Sequence, residues 1–394
     1  MELLIYLILF LLVLIVSSTT NKLLPFLPLP LVQILLGIVI GLFLPNTDFH
    51  LNTELFLALV IGPLLFRESE EADITAILKH WRIIVYLIFP VIFISTLSLG
   101  GLAHLLWLSL PLAACLAVGA ALGPTDLVAF ASLSERFSFP KRVSNILKGE
   151  GLLNDASGLV AFQVALTAWT TGVFSFGQAS SSLIFSILGG FLIGFLTAMT
   201  NRFLHTFLLS VRATDIASEL LLELSLPLVT FFLAEEVHVS GIIAVVVAGI
   251  LKASRFKKIT LLEAQVDTVT ETVWHTVNFM LNGSVFVILG MELEMIAEPI
   301  LTNPIYNPLL LLLSLVALTF VLFAIRFVMI YGYYAYRTRR LKKKLNKYMK
   351  DMLLLTFSGV KGTVSIATIL LIPSDLEQEY PLLLFLVAGV TLLS

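Results

Sequence analysis

Thirteen apolar runs follow one another along this 394-residue chain, and they constrain its fold more than any other feature. They cover approximately residues 2–20, 29–45, 54–66, 82–104, 109–133, 145–169, 180–201, 216–234, 239–251, 271–291, 304–336, 351–372 and 380–394. A helix crosses a bilayer with about 20 apolar residues. Inside lipid every backbone polar group must be paired within the protein, which leaves helices or closed barrels as the spanning structures. Runs this long and continuous predict helices, so the expected fold is an all-α polytopic membrane protein of about 13 transmembrane helices. The third and ninth runs are too short to cross upright and are expected to extend into their polar flanks or lie partly at the interface. Hydrophobic residues at 58%, charged residues at 13% and a mean hydropathy of +1.01 lie far from the composition of soluble domains.

The charges test this parse. Cytoplasmic loops of membrane proteins are enriched in Lys and Arg, and 22 of the 24 basic residues follow odd-numbered runs. The even-numbered loops carry acids instead, among them Asp48, Glu235, Glu236, Glu298, Asp375 and Glu377. The expected topology is a multi-pass protein of the cell membrane with its N-terminus outside and its odd-numbered loops cytoplasmic. The basic stretch RTRRLKKKLNKYMK (337–350) is then a topology signal, and nucleic acid is not an expected partner. The first run lacks a basic leader region and a small-residue cleavage site, so it reads as a retained helix. The last run, 14 residues in PLLLFLVAGVTLLS, gives about 21 Å of helix; the natural chain is expected to continue. Cys115 is the only cysteine, which leaves no disulfide framework or thiolate metal site. The six histidines form no metal-binding spacing, and no cofactor is expected.

Two basic residues, Arg326 and Lys361, fall inside predicted helices, where an unpartnered charge costs at least about 2.5–3.5 kcal/mol. The acids that could answer them are equally out of place. In KGEGLLNDASG, helical rotation stacks Glu150 over Asn154 on one face and Gly151 over Asp155 on the adjacent face. One face can meet a basic partner while the other presents a carboxylate to an ion. Glu150 is the natural partner for Arg326. A competing placement puts Glu150 in the headgroup region beside Lys148, and lets Arg326 snorkel across about 16 Å to the next loop. Glu219 and Glu223, also four residues apart, read as interfacial or funnel-lining.

The fifth run contains GPTDLVA and the twelfth SGVKGTVSIA. Pro124 removes a backbone donor, and Gly359 and Gly362 bracket Lys361. Irregular backbone is tolerated in a membrane only inside protein or along a wet cavity. Two interrupted helices seven apart run in opposite directions, the inverted-repeat arrangement of secondary transporters, whose ion site lies where the broken helices cross. Asp126 and Asp155 form a pair of hard oxygen ligands for an alkali cation, joined by Thr125.

With these motifs in order, the chain resembles the monovalent cation:proton antiporters, the sodium/proton exchangers of the NhaP type. KGEGLLNDASGLVAF resembles their Asn-Asp helix, GPTDLVA their Thr-Asp unwound helix and SGVKGTVSIA their second unwound helix. LAEEVHVSGIIAVVVAGI and FMLNGSVFVILGMEL resemble later helices of the same family. The resemblance implies a single transmembrane exchanger domain over 1–394 and a homodimer. It also implies a scaffold bundle near 1–66 and 216–291, and an ion-translocating core near 82–169 and 304–394. Asp155 would be the essential ion and proton carboxylate, with Asp126, Thr125 and Asn154 in the same site. Glu150, Asn154 and Arg326 would form a stabilising network, and Lys361 would fill the basic position of the second broken helix. Gly151 stands where such proteins often carry Ser, and Lys361 where they commonly carry Arg, which puts ion preference at these two positions.

The implied activity is exchange of a monovalent cation, Na⁺ first, then K⁺ or Li⁺, for H⁺ by competition for the Asp pair with alternating access. Asn154 in place of a second aspartate suggests an electroneutral 1:1 cycle. A cation channel using the same acids is the alternative. An intramembrane protease fits less well, because Asp126 follows GPT and Asp155 follows LLN rather than Gly-x-Gly, and DASG does not match Gly-x-Ser-Gly. The protein is therefore not expected to be an enzyme.

Overall fold

The computed structural model describes residues 2–24, 27–43, 53–126, 130, 138–172, 176–211, 215–253, 261–302, 306–340, 342, 345–359, 361–372 and 380–394. At some helical positions, Asp155 among them, it describes the backbone alone. The described residues are helical almost throughout and contain no strand. Each of the thirteen apolar runs overlaps a helix. Among the described residues, five helices are long and apolar enough to cross a membrane and five more are shorter apolar helices. A count of thirteen crossings does not follow from these helices alone. The chain divides into two compact units.

The first unit, Met1–Ile74 with Phe176–Met291, holds α1 (Glu2–Leu23), α2 (Leu29–Phe43), α3 (Thr53–Phe56) and α4 (Gly62–Glu70). Between α3 and α4 the helix widens into one π turn, Leu57–Ile61, just before Pro63. A proline ring cannot donate to the carbonyl four residues back and collides with it, and a wider turn relieves both. The unit continues with α9 (Phe176–Ser210), α10 (Ile216–Glu236), α11 (Gly241–Ala253) and most of α12 (Leu261–Thr302). The ninth apolar run becomes α11, which is only 13 residues long yet buried rather than interfacial. It packs against α4, α9 and α10, and a helix surrounded by protein need not match the lipid thickness. The third run reaches a workable length by extending into its polar flank, through Arg67 to Glu70. Helices α2 and α12 meet at Gly37 and Gly290, where a Cβ on Gly290 would lie 2.8 Å from the Cα of Gly37. Small residues allow this approach, as is usual for helix pairs in membranes.

The second unit, Thr75–Ser175 with Glu292–Ser394, holds α5 (Ile74–Tyr86), a π turn at Leu87–Val91 containing Pro90, and α6 (Ile92–Leu106). It continues with α7 (Leu112–Ala121), α8 (Lys141–Thr171), α13 (Pro308–Arg340), α14 (Met349–Phe357), α15 (Thr363–Ile369) and α16 (Tyr380–Leu393). Its core joins Ile83, Leu87, Ile146, Ile330, Tyr334 and Met352, from α5, the π turn, α8, α13 and α14. Both predicted interruptions are present. Helix α7 stops at Ala121 and the chain runs unwound through Asp126, while Ser358–Gly362 separates α14 from α15.

Candidate functional site

The two interruptions meet. The Lys361 ammonium donates to the backbone carbonyls of Gly123 and Pro124, at 2.7 Å each. These carbonyls lie just past the C-terminal end of α7, where the helix dipole is negative and unwinding has left acceptors without helical donors. A buried cation is the complement of that backbone, and Lys361 is only 4% exposed. On the other side of the contact, the Asp126 carboxylate lies against Gly362. Any Cβ at position 362 would overlap that carboxylate. Glycine at 362 is thus required by the approach of Asp126, not by an unusual backbone angle.

Helix α8 closes the site from a third direction. Asn154 Nδ2 donates to Thr125 Oγ1 at 3.2 Å. Thr125, Asp126 and Asn154 are all buried. The Asn154 side-chain oxygen is buried with no hydrogen-bond partner among the described residues, so a neutral oxygen is left facing the interior beside Thr125. Asp155 follows Asn154 on α8, and its side chain lies outside the described residues. Gly151, one turn earlier, is buried.

One turn before Asn154, Glu150 is completely buried and forms a two-pronged ion pair with Arg326. The distances are 2.6 Å from Nη1 to Oε1 and 2.8 Å from Nη2 to Oε2. The remaining guanidinium donor, Nε, reaches the Leu355 carbonyl at 2.9 Å, near the end of α14. This fork geometry fits arginine and not lysine. Burial rules out both competing placements: Glu150 does not reach the headgroup region, and Arg326, 5% exposed, does not snorkel. Asn154 is not part of this pair; its amide is turned to Thr125. The Arg326 group also abuts Gly359, where a Cβ would overlap Nε and lie 2.9 Å from Nη2. The pair therefore fixes α8, α13 and the start of the second interruption relative to one another.

Sequence reasoning missed a second polar cluster, in the first unit. Lys252 Nζ lies 2.8 Å from Glu223 and 3.2 Å from Glu70. Glu223 also accepts from Trp274 Nε1 at 3.0 Å, and Arg67 pairs with Glu70 and Glu71. Glu219, 9% exposed, lies 3.3 Å from His205 Nε2. These contacts join residues up to 182 positions apart, from Glu70 to Lys252, and no local spacing announces them.

A helical membrane chain whose two broken helices meet over buried Thr, Asp, Asn and Lys has the architecture of an inverted-repeat secondary transporter. The comparisons with known proteins give the family. Residues 7–394 match the family described as sodium/hydrogen exchanger, transmembrane, and the chain belongs to that family of membrane transporters. It is 36% identical over 393 residues to a sodium, potassium, lithium and rubidium/H(+) antiporter of Bacillus pumilus (strain SAFR-032), covering 98% of this chain and 59% of that protein. It is 31% identical to an uncharacterized Na(+)/H(+) exchanger, YjcE, of Escherichia coli (strain K12), across 100% of this chain and 74% of that protein. The fold matches that of the sodium proton antiporter MjNhaP1 from Methanocaldococcus jannaschii, solved at pH 8. The TM-score is 0.74 at 19% identity, over 100% of this chain and 95% of that one. The chain thus spans less than two thirds of its Bacillus relatives, 59% and 57% of their lengths.

Proposed function

We propose that this chain is the membrane domain of an exchanger that trades a monovalent cation for H⁺ across the cell membrane. The observation that carries the reading is the meeting of the two helix breaks, with Lys361 on the Gly123 and Pro124 carbonyls and Thr125, Asp126 and Asn154 buried beside them. Lys361 satisfies the backbone ends, so the carboxylates remain for the transported ion. Asp155 and Asp126 act as its hard oxygen ligands, with Thr125 and the Asn154 oxygen completing the shell. Protons compete for the same carboxylates. Either a cation or protons occupy the pocket, and alternation between outward- and inward-open states couples the two fluxes. Na⁺ is the first expected substrate, then K⁺ and Li⁺; the name of the Bacillus relative includes all three. The first unit serves as scaffold, the second as the ion-carrying core, and two copies form a dimer. The basic odd-numbered loops place them in the cytoplasm and the N-terminus outside.

The test is exchange in everted vesicles, read as cation-induced dequenching of a pH-gradient dye. Asp155→Asn and Asp126→Asn should abolish the response to Na⁺, K⁺ and Li⁺ with the protein still in the membrane. Retained exchange in Asp155→Asn overturns the assignment.

A further inference from the structure

Helix α12 carries polar side chains at four-residue intervals: Thr270, Trp274, Asn278 and Asn282. On an α-helix such residues are neighbours, each about 6 Å further along the axis, so the row climbs about 18 Å. It lies within the apolar stretch Thr268–Met291, which is long enough to cross the membrane. Three of its oxygens, Thr270 Oγ1, Asn278 Oδ1 and Asn282 Oδ1, are buried with no hydrogen-bond partner among the described residues. The contrast within the same helix is informative. Thr272 and Thr276, on the exposed side, turn their hydroxyls back to the carbonyls four residues earlier, at 2.9 and 3.2 Å. Thr270 does not.

A buried acceptor left unpaired is costly, so such groups are matched by water where the protein does not match them. The burial arises within one copy of the chain. Neither lipid nor a second copy therefore covers these atoms. The row begins beside a charged cluster: Trp274 donates to Glu223, which is paired with Lys252. Polar groups inside a membrane segment that face the protein interior mark pathways for ions and protons.

We propose that Thr270, Asn278 and Asn282 line a water-filled passage that leads from the Glu223 end of α12 to the membrane mid-plane and admits the hydrated cation and the proton. The neutral amide oxygens hydrate a cation without retaining it, which a carboxylate at the same depth would do. This assignment rests on the exchanger reading for the identity of what passes, but the passage itself is tested without transport.

In a Cys115→Ala background, single variants Asn278→Cys, Asn282→Cys and Thr276→Cys are exposed to a charged, membrane-impermeant methanethiosulfonate in everted vesicles. Thr276 is the control, near the depth of Asn278 but on the exposed side. Positions 278 and 282 should react at least tenfold faster than 276; equal or slower reaction at either overturns the passage. Asn278→Leu and Asn278→Ser provide a check that needs no introduced thiol. A wet row predicts at least tenfold slower exchange in the Leu variant, with the Ser variant near the parent. A dry row predicts unchanged exchange and a raised Tm in the Leu variant, which overturns the proposal. Fast labelling in a parent protein that exchanges no cation would leave the passage standing and remove the exchanger reading.

Discussion

At the scale of single residues, the buried pair Glu150–Arg326 shows how far charge alone can be read. Both lie in apolar runs, and the energy of an unpaired charge in hydrocarbon forces them to find each other. Their pairing was therefore legible. The third contact, from Arg326 to the Leu355 carbonyl, was not, because a backbone acceptor leaves no mark in sequence. Breaking a buried pair from one side costs about 3–5 kcal/mol, since the surviving charge stays buried. Glu150→Ala should accordingly lower the Tm in detergent by many degrees, and Glu150→Leu with Arg326→Met should recover most of it. A double variant no more stable than the single would show that the pair does more than cancel its own charges. Gly362 belongs to the same scale. Alanine there would push the Asp126 carboxylate aside, so Gly362→Ala should lose exchange by at least tenfold while keeping its thermal stability to within a few degrees. The glycine was visible as a break in the twelfth run, but the carboxylate that excludes a side chain from it was not.

At the scale of elements, hydropathy located each helix and misjudged some of their surroundings. Composition tells a helix in protein from one in lipid poorly, because membrane-protein interiors are as apolar as lipid. That is why α11 read as interfacial and proved buried among α4, α9 and α10. The interruptions were legible because Gly-Pro and paired glycines remove donors or propensity at a definite position. The π turns beside Pro63 and Pro90 were not, since a proline alone does not say whether its helix kinks, ends or widens. Contacts between helices leave a fainter trace. Gly37 and Gly290 are ordinary membrane glycines in sequence, yet a Cβ on either would strike the other helix's backbone. Gly290→Ala should therefore overpack this crossing and destabilise by about 1–3 kcal/mol, read as a lower Tm. Gly332, with open space where its Cβ would stand, should tolerate alanine and provides the control.

At the scale of the whole molecule, the question is whether a complete cycle moves net charge. In the proposed pocket Asn154 occupies the position beside Asp155, and its amide is engaged with Thr125. Lys361 keeps its ammonium on the Gly123 and Pro124 carbonyls, so its charge belongs to the fold rather than to the cargo. One cation inward-bound and one proton outward-bound then carry equal charge in opposite directions. A membrane potential does work of about 2.3 kcal/mol per elementary charge per 100 mV, and each 1.36 kcal/mol is a tenfold factor. A cycle with one uncompensated charge would thus shift the cation gradient it sustains by roughly fifty-fold for each 100 mV. An electroneutral cycle would shift it not at all. In proteoliposomes with a potassium-ionophore-clamped potential, the Na⁺ gradient balanced by a fixed pH difference should be the same at zero and at about −100 mV. A displacement near fifty-fold would mean that a second proton, or Lys361 itself, travels with the cycle.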